Sequence, residues 1–200
     1  MKTIFTILIS AIVFFALNSI IPTKEECEIY TSTVRLHVIA NSDSEQDQAV
    51  KLKVRDALLE KTATFDAKTK EEAVKNFTDN REELIKIAKE VLMENGIDDE
   101  VKIEIGKESY PTRYYEDFAL PAGEYTSVRV IIGRGEGKNW WCVLFPPMCT
   151  SVALKSEEDA YIQVGLTKDQ YQMITGDTSE YKIKFRILEI AAQAFGFKYD

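Results

Sequence analysis

The stretch Thr33 to Glu60, TVRLHVIANSDSEQDQAVKLKVRDALLE, constrains this chain more than any other. Val34, Leu36, Val38 and Ala40 alternate with Arg35, His37, Ile39 and Asn41, the period-two pattern of a strand with one buried face. Asn41-Ser42-Asp43-Ser44 breaks the pattern, and Ser42 with Glu45 three residues later reads as a capping box that opens a helix. Val50, Val54, Ala57 and Leu58 then recur at helical spacing as one apolar stripe, with Lys51 on the solvated side. Strand, tight turn and amphipathic helix are written in one run, and their apolar faces would found a core.

From Ala67 a second helical pattern runs through Ala73, Phe77, Leu84, Ala88 and Val91 to Leu92. Thr69 with Glu72 can cap it, and Asn95-Gly96 is a stop signal. Three further strands follow. Val101, Ile103 and Ile105 alternate with Lys102, Glu104 and Gly106; Tyr125 to Ile132 is the next, and Trp140 to Phe145 the last. The glycine-rich run 133–139 between the last two reads as a hairpin loop, and Pro146-Pro147 ends the last strand. Ser179 to Gly196 carries a wide apolar helical face. Strand, two helices, three strands, then helix is an α+β order. It predicts a mostly antiparallel four-stranded sheet with helices packed on one face.

The chain has 200 residues, 45 % of them hydrophobic, which suits one domain over residues 30–200 behind a short extra segment. That segment is residues 1–22. Lys2 precedes an apolar run from Ile4 to Leu17 broken only by Thr6 and Ser10, the layout of an export signal. Asn18 stands where cleavage favours a small residue, so residues 4–21 are either a leader that is removed or a membrane tether that stays. A net charge of −8 argues against nucleic-acid binding by phosphate neutralisation. Of the three cysteines, Cys142 and Cys149 can pair if Pro146-Pro147 turns the chain back; otherwise all three are reduced and Cys142 is core.

The alternation also lists a solvent-facing side of the sheet: Arg35, His37, Lys102, Glu104, Ser127 and Arg129. Trp140 and Trp141 are neighbours on a strand and point to opposite faces, so one indole joins this side. The long loop Ser109 to Gly123, with Tyr110, Tyr114, Tyr115 and Phe118, lies near enough to extend or cover it. An apolar patch rimmed by charge marks an interaction site, so Arg35, His37, Arg129, Trp140, Trp141, Tyr114 and Tyr115 are the candidate partner-binding residues. Chemistry is hard to find. His37 is the single histidine, and nothing orients it against Cys142 as a base–nucleophile pair. The glycine loop lacks phosphate-loop spacing. Asp43, Glu45 and Asp47 are the acids expected at a helix start, and there is no CxxC or Cys/His cluster. No catalytic residue, metal or cofactor is expected.

Two segments carry a resemblance: RLHVIANSDSEQDQAVKLKVRDALLE, and YPTRYYEDFALPAGEYTSVRVIIGRGEGKNWWCVLFPPMC. With the N-terminal export signal they resemble the stage II sporulation protein R family of endospore-forming bacteria, over about Thr33 to Cys149, and less distinctly from Thr150 on. The resemblance implies a protein exported into the space between forespore and mother cell. There it would trigger a membrane-embedded aspartic protease that processes the precursor of the sporulation factor sigma-E. Two other readings stand beside it: a secreted cell-envelope hydrolase using the His37 face, and an anchored structural envelope protein.

Overall fold

The strand that opens the constraining stretch is the inner strand on which both halves of the sheet meet. The computed structural model describes residues 29–114 and 119–148, together with Thr6 and Ser10. In it β1 is Val34–Ile39, followed by three helices, α1 (Glu45–Thr62), α2 (Lys70–Asp79) and α3 (Arg81–Glu94). Five strands come next: β2 (Val101–Tyr110), β3 (Arg113–Tyr114), β4 (Ala119–Leu120), β5 (Gly123–Ile132) and β6 (Asn139–Phe145). The main sheet has four strands in the order β2-β5-β1-β6, and β3 pairs with β4 as a separate small ribbon.

The sheet is mixed, which corrects the mostly antiparallel expectation. β5 is antiparallel to β2, and β1 is antiparallel to β6, but β1 runs parallel to β5. A parallel neighbour needs a long crossover, and the three helices between β1 and β2 supply it. The expected hairpin between β5 and β6 is corrected too, because β1 lies between them. Residues 133–138 instead bridge the C-terminal end of β1. The amides of Gly137 and Glu136 donate to the carbonyls of Ala40 (2.9 Å) and Asn41 (3.2 Å). The amides of Arg134 and Lys138 donate to Asn41 Oδ1 (3.0 Å) and Asp43 Oδ1 (2.7 Å). A Cβ on Gly137 would sit 2.2 Å from the Ser42 carbonyl oxygen, so the close crossing requires glycine there.

The helices pack on one face of the sheet. Val34, Leu36 and Val38 of β1, Ile103 of β2, and Val128 and Val130 of β5 meet Val50, Val54 and Leu58 of α1, Phe77 of α2, and Leu84, Ala88 and Leu92 of α3. Each such aliphatic side chain contributes about 1.5–3 kcal/mol by leaving water. The α1 cap lies two residues beyond the expected one: Ser44 Oγ accepts from the Asp47 amide at 3.1 Å, while Ser42 Oγ donates to the Asp47 carboxylate at 2.5 Å. Thr69 caps α2 as its spacing predicts, accepting from the Glu72 amide at 3.2 Å. The single second helix divides at Asn80, which ends α2 and begins α3. Gly96, at φ +72°, follows the last turn of α3.

Lys51 is another correction. It is buried, because its ammonium bends under the 133–138 bridge to donate to Gln48 Oε1 (2.7 Å) and the Lys138 carbonyl (2.8 Å). Burial pushes its pKa down, against the pull of Asp43. Among the described residues no helix is long and apolar enough to cross a membrane. The expected leader, apart from Thr6 and Ser10, and the expected helix Ser179 to Gly196 lie outside the described residues.

Candidate functional site

On the face away from the helices, strand register brings the polar residues into rows across the sheet. Glu104, Arg129, His37 and Trp141 form one row; Gly106, Ser127, Arg35 and Val143 form the next. The alternation of each strand puts them on one side. Sequence reading lists this side as wet, and here the structure corrects it: Arg35 is 0 % exposed, and His37 and Ser127 are each 2 % exposed. The cover is built from the segment read as a loop. β2 continues through Tyr110, and the chain then forms the β3–β4 ribbon before returning as β5.

Aromatic rings and their hydroxyls fasten this cover. The Arg35 guanidinium carbon lies 4.0 Å from the Tyr110 ring centre and 4.9 Å from that of Tyr125, a cation held between two π faces. Tyr125 Oη donates to the Pro121 carbonyl at 2.7 Å, Tyr30 Oη donates to the Ala122 carbonyl at 3.2 Å, and Tyr110 Oη lies 2.7 Å from Ser127 Oγ. Arg113, from β3, sits with its guanidinium carbon 3.5 Å from the Trp141 ring centre, and the other side of the region is closed by His37 stacked on Trp141 at 5.4 Å.

The one ion pair sealed inside this region among the described residues joins His37 Nδ1 to Glu108 Oε1 at 2.7 Å. Burial pushes the Glu108 carboxyl up, but hydrogen bonds from His37, Ser127 and Tyr110 and the pull of His37 outweigh it, holding the group down at about 2. An ionised carboxylate only accepts, so His37 Nδ1 carries the proton that points at it. Nε2, the nitrogen that a nucleophile would have to reach, is buried with no hydrogen-bond partner. Burial pushes the Tyr110 hydroxyl pKa far above its usual range. Arg129 bridges to Glu104 and lies 3.9 Å from Glu108 Oε1; the hydrogen bond to Glu104 raises its pKa.

The two indoles divide as neighbours on a strand must. Trp141 takes the His37 side; Trp140 packs against the helix-side core, with Arg55 of α1 over its ring at 4.7 Å. Of the candidate residues, the structure brings together Arg35, His37, Arg129 and Trp141, and separates Trp140. Tyr114 contributes its backbone to β3, and Tyr115 lies outside the described residues. Cys142 is in the core and disulfide-bonded; Cys149 lies outside the described residues. Sequence reading missed Glu108 and Arg113. Carrying the alternation of Lys102 and Glu104 two steps further would have placed Glu108 on the His37 side. No group of three or more metal-ligating side chains exists among the described residues.

No solved structure matches this chain. Stage II sporulation protein R of Bacillus subtilis (strain 168) is 35 % identical over 156 residues, which cover 74 % of this chain and 70 % of that protein. Residues 30–155 match the family described as stage II sporulation protein R, a span that takes in the whole sheet, the three helices and the closed polar cluster. The chain therefore belongs to the stage II sporulation protein R family, and its role is in sporulation.

Proposed function

We propose that this protein is an exported signal that activates a membrane-embedded aspartic protease, which then processes the sigma-E precursor. Its action is binding, not turnover. The observation that carries this reading is the closure of the polar cluster. A hydrolytic base must reach the proton it abstracts within hydrogen-bond distance. His37 is buried under the β3–β4 ribbon, its Nδ1 is committed to Glu108, and its Nε2 faces no hydroxyl or thiol. Buried ion pairs of this sort supply positioning and specificity of packing more than stability. Here the pair holds the ribbon and Trp141 in one arrangement, and so presents a fixed outer surface with half-exposed Arg129 at its margin. Arg and Trp are the residue types that most often carry binding energy.

The experiment is co-expression of the full chain with the candidate protease and the sigma-E precursor in a non-sporulating host. Processing of the precursor only when all three are present is the expected result; none with all three present would refute the reading. Within that assay, Trp141→Ala is expected to lose processing along with the fixed position of the ribbon, whereas His37→Gln, which keeps a neutral donor for Glu108, is expected to retain it. Loss of processing in a folded His37→Gln protein would favour the hydrolase reading.

A further inference from the structure

β2 is the outermost strand of the sheet, and all ten of its residues pair with β5 on the inner side. Among the described residues nothing pairs with its outer edge. A free edge of this length is a template for a further strand, and proteins guard such edges with charge. The guard here is uneven. On the side away from the helices β2 presents Lys102, Glu104, Gly106 and Glu108 in alternation. Glu104 and Glu108 stand about 13 Å apart along the strand, at roughly 3.3 Å per residue. Between them Gly106 has no side chain, and the place of its Cβ has nothing within 4 Å.

The gap is a cavity of about 200 Å³, lined by Glu104, Gly106, Glu108, Ser127 and Arg129 together with the strand backbone. Its walls hold two carboxylates against one guanidinium. Arg129 bridges to Glu104 and only approaches Glu108, whose Oε2 has no hydrogen-bond partner. Lys107 falls on the other side of the strand, where its ammonium lies 3.9 Å from Glu124. The notch therefore has one negative charge in excess, a small polar floor in Ser127, and an opening onto an unpaired strand edge.

We propose that this edge and notch dock an extended segment of a partner protein, which adds as a strand to β2 and places a lysine or arginine side chain over Gly106, between Glu104 and Glu108. Backbone pairing supplies the register, and the side-chain pocket supplies the selection, as in other strand-addition complexes. The charges that guard the edge exclude an apolar strand and admit a cationic one. This rests on the reading that the protein works by binding a partner.

Gly106→Val fills the notch without a clash, at a backbone conformation open to any residue, and replaces a glycine in a strand interior by a strand former. The co-expression assay first shows whether the wild-type chain drives precursor processing. With processing established, Gly106→Val is expected to keep or raise the thermal midpoint while reducing processing at least tenfold. A stable variant that processes normally overturns the proposal. Should Gly106→Val not fold, Glu104→Lys, at an exposed position, decides in the same way. A wild-type chain that drives no processing defeats the protease reading alone. The notch is then decided by NMR titration of the full chain in detergent with N-acetyl-arginine methylamide. Amide shifts centred on Gly106 and Ser127 that vanish with the neutral citrulline analogue support it. Equal shifts with both compounds, or none at those amides, overturn it.

Discussion

Glu108 has the environment with the clearest consequence in solution. Its carboxyl is held at about 2, against an ordinary value of 4.5, by His37, Ser127 and Tyr110 acting against burial. A group whose pKa is depressed on folding stabilises the protein fully above its unfolded value, and that stability drains away as pH falls through the folded value. For Glu108 the window runs from 4.5 down to about 2. Each tenfold change in proton affinity between the folded and unfolded chain is worth about 1.4 kcal/mol, so the contribution at neutral pH is on the order of 3 kcal/mol. Glu108→Gln is therefore expected to be less stable than wild type by about that amount at pH 7, and the difference should close as pH falls from 4.5 to about 2. Urea titrations of both proteins at neutral pH and near the middle of that window check it; a constant difference would mean that the carboxylate charge is not what the cluster uses.

At the scale of elements, α1 and the bridge over β1 can be tested against each other. Leu58 is buried in the helix-side core, so Leu58→Ala should cost about 2–5 kcal/mol. Lys51, on the same helix, should not behave as a surface lysine. Lys51→Ala strands the Lys138 carbonyl and Gln48 side chain and should cost about 1–3 kcal/mol. Gly137→Ala should destabilise through the bridge itself, because the new methyl carbon meets the Ser42 carbonyl at 2.2 Å. Denaturant midpoints measure all three, and a Lys51 variant as stable as wild type would contradict the buried ammonium. The same elements show what was legible in the sequence. The strand, its turn and α1 could be read because periodicity and capping are local. The parallel pairing of β1 with β5 could not, because alternation tells which side chains share a face and says nothing of which strand lies beside which. For the same reason Arg35 and His37 read as wet. Their cover is the β3–β4 ribbon, whose tyrosines and prolines look like a loop until Tyr110, Tyr125 and Arg113 are seen closing on Arg35 and Trp141. Gly133, Gly135 and Gly137 signalled a tight connection correctly, but not that it crosses another strand.

For the whole molecule, a mixed sheet backed by helices carries a sealed polar cluster on its other face and an open, charged edge at β2. Such a body signals through its outer surface. The central claim is that the surface is presented on the far side of a membrane from where the chain is made. The reconstituted host tests it most directly, by comparing precursor processing driven by the full chain with that driven by a chain lacking residues 1–21. The shortened chain is expected to accumulate as a folded protein in the cytoplasm, shown by a cooperative thermal transition, and to drive no processing. Equal processing by the folded, cytoplasmic form would contradict the account.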